Sequence, residues 1–325
     1  MLDTLKFVRG AVSSKDLVPV LTHFHIRDGR LQGQNGRVTI EAPCPQLAGL
    51  DVVVPADKFL RAVDACDGEP KITVKDGKMT VSRKRFRATL AVLGVDEYPE
   101  VSRTIDCGPD FQRSGEGLIN LLRKAQPFVS TDASRPWSCS VLITEDTAFA
   151  TNNVVLACFD FDWTKENLVL PDFAIDELLR IGIDPTWVGW DSKHFVAEYA
   201  DGSWLSSRLV DGAWPDSLRA LERTCREETD WLAVPGDMVD ALAKLKPFFP
   251  NAKLPIVKLD SEGISTSEGQ SSAVVGMEGL PPSAFRLESL SLVVSAARAW
   301  NPARYPGPVP WRADGVVGML SGVRV

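Results

Sequence analysis

Along this chain, segments with apolar residues every three or four positions alternate with short apolar runs bounded by turn residues. Leu5, Val8 and Val12 share one helical face, as do Phe59, Leu60 and Val63, Leu118, Leu121 and Leu122, and Met238, Val239 and Leu242. The spacing predicts helices over Asp3–Val12, Ala56–Cys66, Gly115–Gln126, Asp172–Ile181, Gly236–Leu245 and Leu287–Trp300. Strands are predicted between them. Lys71–Val74, Met79–Ser82 and Phe86–Val92 turn at Asp76-Gly77; Trp187–Trp190, His194–Tyr199 and Trp204–Leu209 turn at Asp201-Gly202. The pattern is α+β, with six helices laid on antiparallel sheets.

The predicted elements repeat. Val53-Val54-Pro55-Ala56-Asp57, Val169-Leu170-Pro171-Asp172 and Ala233-Val234-Pro235-Gly236-Asp237 each read as strand, proline and helix start. Proline fits the first helical turn and a nearby Asp complements the dipole. Pro55 and Pro171 lie 116 residues apart, and so do the aromatic–Pro–acid turns Tyr98-Pro99-Glu100 and Trp214-Pro215-Asp216. Ile26-Arg27-Asp28-Gly29 and Asn35-Gly36-Arg37-Val38 match Ile143-Thr144-Glu145-Asp146 and Asn152-Asn153-Val154-Val155 at an offset of 117. Four matches in register imply duplication. Pro19, Pro136 and Pro255 are expected to introduce strands at Val20-Leu21, Val141-Leu142 and Ile256–Leu259, the last opening a third, worn copy with a Glu262-Gly263 turn. Domain limits of 1–107, 108–222 and 223–325 follow.

Composition narrows the function. With 44% apolar and 24% charged residues over 325 positions, each copy holds enough apolar surface for a core. No apolar run is long enough to span a bilayer, and Asp3, Lys6 and Arg9 break up the first residues, so no membrane partner or signal segment is expected and the location is taken as cytoplasmic. Six scattered cysteines without a CxxC pair and three histidines predict no metal site and no cofactor. His23 and His25 share a strand face with only Asp28 nearby, and no catalytic motif is present, so a non-catalytic protein is expected.

Apolar stripes on the helices must pack on sheet, which leaves the opposite helix faces exposed. Six such units curve into an arc, and two arcs related by a two-fold axis close without free sheet edges. The net charge is −7, yet every predicted helix carries a base: Lys6 and Arg9, Lys58 and Arg61, Arg123 and Lys124, Arg180, Lys244 and Lys246, and Arg298. Acids share these helices (Asp64, Glu116, Asp176, Glu177, Asp240), so a weakly positive lining is expected, suited to non-specific phosphate contact.

Several stretches resemble the β-type sliding clamp of bacterial replicases, the DNA polymerase III processivity factor. They are Leu17-Val18-Pro19-Val20-Leu21 with Arg30-Leu31-Gln32, Ser134-Arg135-Pro136-Trp137 through Val141-Leu142 with Ala150-Thr151-Asn152-Asn153, and the closing Met319-Leu320-Ser321-Gly322-Val323-Arg324-Val325. The resemblance implies three tandem DNA-clamp domains whose six helices line an arc with the sheets outside. It also implies a homodimer encircling double-stranded DNA, with a DNA polymerase and a clamp loader as partners. A peptide cleft is implied at Thr151, Asn153, Val155, Leu156, Leu218, Met319, Ser321 and Val323. DNA contacts are implied at Lys15, Arg135 and Trp137 beside the helix bases. The chain departs from the family where Val154-Val155 replace a histidine–arginine pair, Ser138 a leucine and Gly322 a proline. It starts directly with a helix, one strand short of the family pattern, and its brevity and divergence suggest a phage or other mobile replicon. Two other classes stay open: a clamp-fold decoy that inhibits host replication without encircling DNA, and an enzyme on repeated α+β units, which would need a pocket of convergent polar groups.

Overall fold

A computed structural model describes the chain at every residue except 16, 17, 100, 102, 104, 106, 109, 110, 211, 250–253, 269, 270 and 325. Leu17, Glu100 and Val325 of the sequence reading therefore lie outside the described residues.

In chain order the first elements are α1 (Leu2–Arg9), β1 (His23–Arg27), β2 (Arg30–Gln34), β3 (Val38–Pro43) and β4 (Asp51–Pro55). Next come α2 (Ala56–Asp64), β5 (Lys71–Lys75), β6 (Lys78–Arg83) and β7 (Phe86–Ala91). The second stretch holds β8 (Gln112–Arg113), α3 (Leu118–Ala125), β9 (Ser140–Ile143), β10 (Thr147–Thr151), β11 (Val155–Asp160) and β12 (Leu168–Pro171). It continues with α4 (Asp172–Ile181), β13 (Trp187–Trp190), β14 (His194–Glu198), β15 (Trp204–Arg208) and α5 (Leu218–Arg226). The last stretch holds β16 (Leu232–Ala233), α6 (Met238–Leu245), β17 (Ile256–Asp260), β18 (Gly263–Glu268), β19 (Ser271–Gly276) and β20 (Ser283–Arg286). It closes with α7 (Leu287–Ala296), β21 (Ala299–Trp300), β22 (Val309–Ala313) and β23 (Val316–Leu320).

The chain forms two compact units. The first comprises Met1–Leu122 and Leu170–Val210. Its large sheet runs β4-β1-β2-β3-β15-β14-β13-β8, and β5-β6-β7 form a separate three-stranded sheet. Helix α1 packs on β2 and β3 with Leu5 and Val8 fully buried. Gly33 permits that approach, because a Cβ there would lie 2.6 Å from the Val12 side chain. The apolar stripe of α2 buries Phe59 and Val63; enclosing the phenyl ring contributes about 2–3 kcal/mol.

The second unit comprises Arg123–Val169 and Asp211–Val325. Its large sheet runs β12-β9-β10-β11-β23-β22-β21-β16, beside a four-stranded sheet β19-β18-β17-β20. Trp300, Trp311 and Phe285 anchor its core, with Phe128 stacked on Trp311 at 5.6 Å. Each large sheet is two four-stranded sets joined edge to edge, antiparallel, through β3–β15 in one and β11–β23 in the other.

The α+β reading and the antiparallel sheets hold; Asp76-Gly77 forms the expected hairpin turn and Asp28-Gly29 forms another, with positive φ at both residues of each. Four details differ. Helix α5 was not expected; it brings the described α-helices to seven. Val20-Leu21 lie in a 3₁₀ turn started by Pro19, and Pro136 starts another, so only Pro255 leads directly into a strand. The final helix stops at Ala296 because Ala297 turns extended (ψ 147°), and Trp300 pairs with Trp311 in a strand instead. The third strand–proline–helix segment is out of phase. Residues 232–237 begin β16 and α6, which correspond to β8 and α3, whereas β20 and α7 are the counterpart of β4 and α2, with Arg286 in the proline's place.

The loop after α5 carries a pH-sensitive ion pair. Arg304 Nε donates to the buried Glu228 carboxylate at 2.7 Å, and the amides of Thr229 and Asp230 donate to its other oxygen. The Arg304 bond, followed by the Asp230 amide, holds the Glu228 pKa at about 2, below its ordinary 4.5. A depressed carboxyl pKa stabilises the fold above the ordinary value, and that contribution drains away as pH falls from 4.5 toward 2. Arg304→Ala is expected to flatten this acid limb while lowering the melting temperature at pH 7, read from melting curves between pH 2 and 7. An unchanged acid limb would remove Glu228 from the linkage.

No helix is long and apolar enough to cross a membrane, and no group of three metal-ligating side chains clusters, both among the described residues.

Candidate partner groove and nucleic-acid interface

Within the second unit, one face of β9–β11 and β23 meets α5 over an apolar cluster of Leu142, Phe149, Leu156, Cys158, Leu218, Cys225 and Met319. Strand pairing sets Leu156 opposite Met319, and the stripe Leu218, Leu221 and Cys225 turns α5 onto them. Beside this floor opens a groove of about 490 Å³, walled by Leu142, Phe149, Val169, Trp214, Pro215 and Leu218 and rimmed by Lys165, Asp216 and Arg219.

The rim is held by a charged network. Arg219 donates to Thr144 Oγ1 at 2.7 Å and Glu222 Oε2 at 2.9 Å, pairs with Asp146 at 2.7 Å, and lies 5.3 Å from the centre of the Phe149 ring. Arg226 pairs with the same buried Glu222 at 2.9 Å and with Asp160 at 2.6 Å. The Arg219 bond holds the Asp146 carboxyl below the usual carboxylate range. Burial raises the Cys225 thiol to about 12, so it remains a protonated part of the floor cluster.

The expected cleft residues divide. Leu156, Leu218 and Met319 meet in the cluster. Val155 is fully buried, and Thr151 gives its hydroxyl to the Val155 carbonyl. Asn153 occupies a positive-φ turn and donates to Ser138 Oγ. The last strand continues past the groove: the Ser321 amide bonds to Val154 O, and the Val323 amide to Ala284 O. Trp137 packs edge-on against Trp214 at 5.2 Å, and Trp214 Nε1 donates to Ser140 Oγ, so Trp137 supports a groove wall. Sequence reasoning missed Leu142, Phe149, Val169, Trp214, Pro215 and Arg219.

The helix bases divide as well. Lys6, Lys58, Arg61, Lys244 and Lys246 are exposed, as are Lys15 and Arg135 in loops. Arg9 is drawn into the α1–α2 contact, where it holds Asp57 at 2.6 Å. Arg180 bonds Glu177 and the Phe7 carbonyl. Arg123, Lys124 and Arg298 line one pocket of about 450 Å³ floored by Phe128, Phe159 and Trp311, where Arg298 pairs with Asp314.

No family model matches the chain. It is 24% identical over 256 residues to the beta sliding clamp of Haemophilus influenzae, covering 71% of this chain and 69% of that protein. Among solved structures, the Bacillus subtilis DNA polymerase sliding clamp superposes with a TM-score of 0.79 at 19% identity, over 100% of this chain and 97% of that one. The Helicobacter pylori beta clamp bound to a DNA ligase peptide gives 0.77 at 13% identity, over 99% and 97%. The Pseudomonas aeruginosa clamp bound to griselimycin gives 0.79 at 20%, over 100% and 97%. The chain therefore has the fold of the bacterial DNA polymerase III beta sliding clamps, at low sequence identity.

Proposed function

We propose that this chain is a divergent, non-catalytic sliding clamp: two copies close around duplex DNA, hold a polymerase on it, and dock partner segments in the α5 groove. On this reading the three-copy partition at 1–107, 108–222 and 223–325 is the ancestral repeat, and the polymerase and a loader are the partners. The exposed helix bases face DNA, and the protein works in the cytoplasm.

The observation that carries the dimer is a pair of open sheet edges. Strand β15 joins β3, and β23 joins β11, each completing eight strands. By ladder position β7 is the counterpart of β15, and β19 that of β3 and β11, yet both end their sheets unpaired among the described residues. Applying the β15–β3 register to a second copy turns Ser206↔Thr39 into Thr89↔Ser272 and Trp204↔Glu41 into Arg87↔Val274. The joined residues Ser206 and Thr39 are buried; Thr89, Ser272 and Val274 are exposed, Val274 by 60%. Pairing these two edges with a second copy joins the three- and four-stranded sheets into one of seven strands at each seam, and a two-fold axis closes the assembly. The same register carries Arg83-Lys84-Arg85 alongside Glu278 and Glu262 of the second copy, which adds charge complementarity.

The register is testable by cross-linking. Thr89→Cys combined with Ser272→Cys is expected to give a covalent dimer on mild oxidation, while either change alone gives monomer on a denaturing gel. No cross-link from the pair, with both cysteines titratable, would contradict the seam. Groove docking rests on the open apolar groove together with the neighbour that holds a DNA ligase peptide.

A further inference from the structure

The most segregated charge in the molecule lies on the three-stranded sheet rather than on the helices. Residues 71–91 contain seven Lys or Arg and one acid, a net +6 that leaves −13 on the rest of a chain whose total is −7. Alternation along the strands sorts these side chains. Met79, Val81 and Leu90 are buried on the face that contacts α2. The opposite face presents Lys71, Thr73 and Lys75 from β5, Lys78, Thr80 and Ser82 from β6, and Arg87 and Thr89 from β7. Lys71, Lys75, Lys78 and Arg87 are all exposed, and none has a carboxylate within ion-pair distance among the described residues. The one acid, Asp76, sits in the β5–β6 turn, off this face.

We propose that this face is a second nucleic-acid surface, contacting the phosphate backbone of duplex DNA outside the helix-lined side. The face carries no aromatic residue, so bases have nothing to stack on, and no large apolar side chain, so a docking peptide has no anchor. What it offers is four cations interleaved with hydroxyls, the set that phosphate oxygens accept from. Recognition is therefore independent of sequence and steeply dependent on salt. The inference goes beyond the ring reading and does not need it, because the face is open on the single chain.

The test uses a fluorescent, covalently closed duplex minicircle, which a closed ring cannot thread without a loader. At about 50 mM salt the wild-type protein is expected to bind it, weakening with a steep salt slope. K71E/K75E/K78E, which leaves Arg87 at the seam untouched, is expected to lose at least tenfold in affinity and to flatten that slope by about 2 to 3, near 0.9 per phosphate contact removed. The neutral variant K71Q/K75Q/K78Q should lose less, and its circular dichroism checks the fold. Wild-type behaviour of the charge-reversed protein, or no wild-type binding, would overturn the proposal. Equal or tighter binding of a 20-residue poly-glutamate would overturn the nucleic-acid assignment in favour of an acidic protein segment. Failure of the ring would show in solution mass, a separate readout.

Discussion

Val274→Lys is expected to weaken self-association about 100-fold while leaving the single chain folded. Val274 is 60% exposed at the β19 edge, so lysine there disturbs no packing within the chain. In the proposed register it faces Arg87 of the second copy, and like charges directly opposite across a ladder repel. Repulsion and lost apolar contact cost about 1.5 kcal/mol at one seam. A two-fold assembly repeats the seam, so the effect is about 3 kcal/mol, or two decades in dissociation constant. Sedimentation of wild type and variant across the same concentrations reads it. Arg87→Glu in the same chain should restore much of the loss, because it turns repulsion into attraction. An unchanged dissociation constant for Val274→Lys would mean that β19 is not the seam.

The second large effect is expected from the paired change Arg219→Ala and Arg226→Ala. Glu222 is 6% exposed and receives hydrogen bonds from both guanidinium groups and from Thr147. Removing both cations leaves a buried carboxylate with one hydroxyl donor, a loss of about 3–5 kcal/mol. Either single change should cost far less, since one arginine still answers the charge, so the two effects will not add. Arg219→Ala alone also strips the groove rim from Thr144 and the Phe149 ring, and should weaken partner-segment binding more than it weakens the fold. Chemical denaturation of the four proteins provides the cycle. An additive pair would show that Glu222 is solvated rather than held.

Much of the architecture was legible because strand lengths and hairpin turns preserve spacing. The matches near 116 residues survive wherever two copies keep the same turn, and Asp28-Gly29 and Asp76-Gly77 mark turns that need positive φ. The third strand–proline–helix segment misled for a physical reason. Proline followed by an acid starts any helix well, so Pro235 looked like Pro55, while the true counterpart, Arg286, carries no such signal. Helix α5 was hidden because Arg219, Arg223 and Arg226 dilute its apolar stripe, and the Trp214-Pro215-Asp216 turn read as the end of a unit.

The groove was half legible. Leu156, Leu218 and Met319 came from resemblance alone: the strand that holds Leu156 is so completely buried that no periodicity separates a groove floor from ordinary core, and Leu218 opens the helix that the pattern did not reveal. Leu142 and Phe149 were missed for that same reason. The basic sheet face escaped notice because positive charge was sought at helical spacing, whereas Lys71, Thr73 and Lys75 follow the two-residue period of a strand.

Solution mass by light scattering, across a wide range of concentrations, tests the ring most directly. Two open edges that satisfy each other about a two-fold axis predict a mass that rises to twice 35.5 kDa and stays there. A single-chain mass at every concentration would contradict closure and favour a clamp-fold protein that does not encircle DNA. A mass climbing without limit would contradict it differently, showing that the edges pair head to tail into open chains.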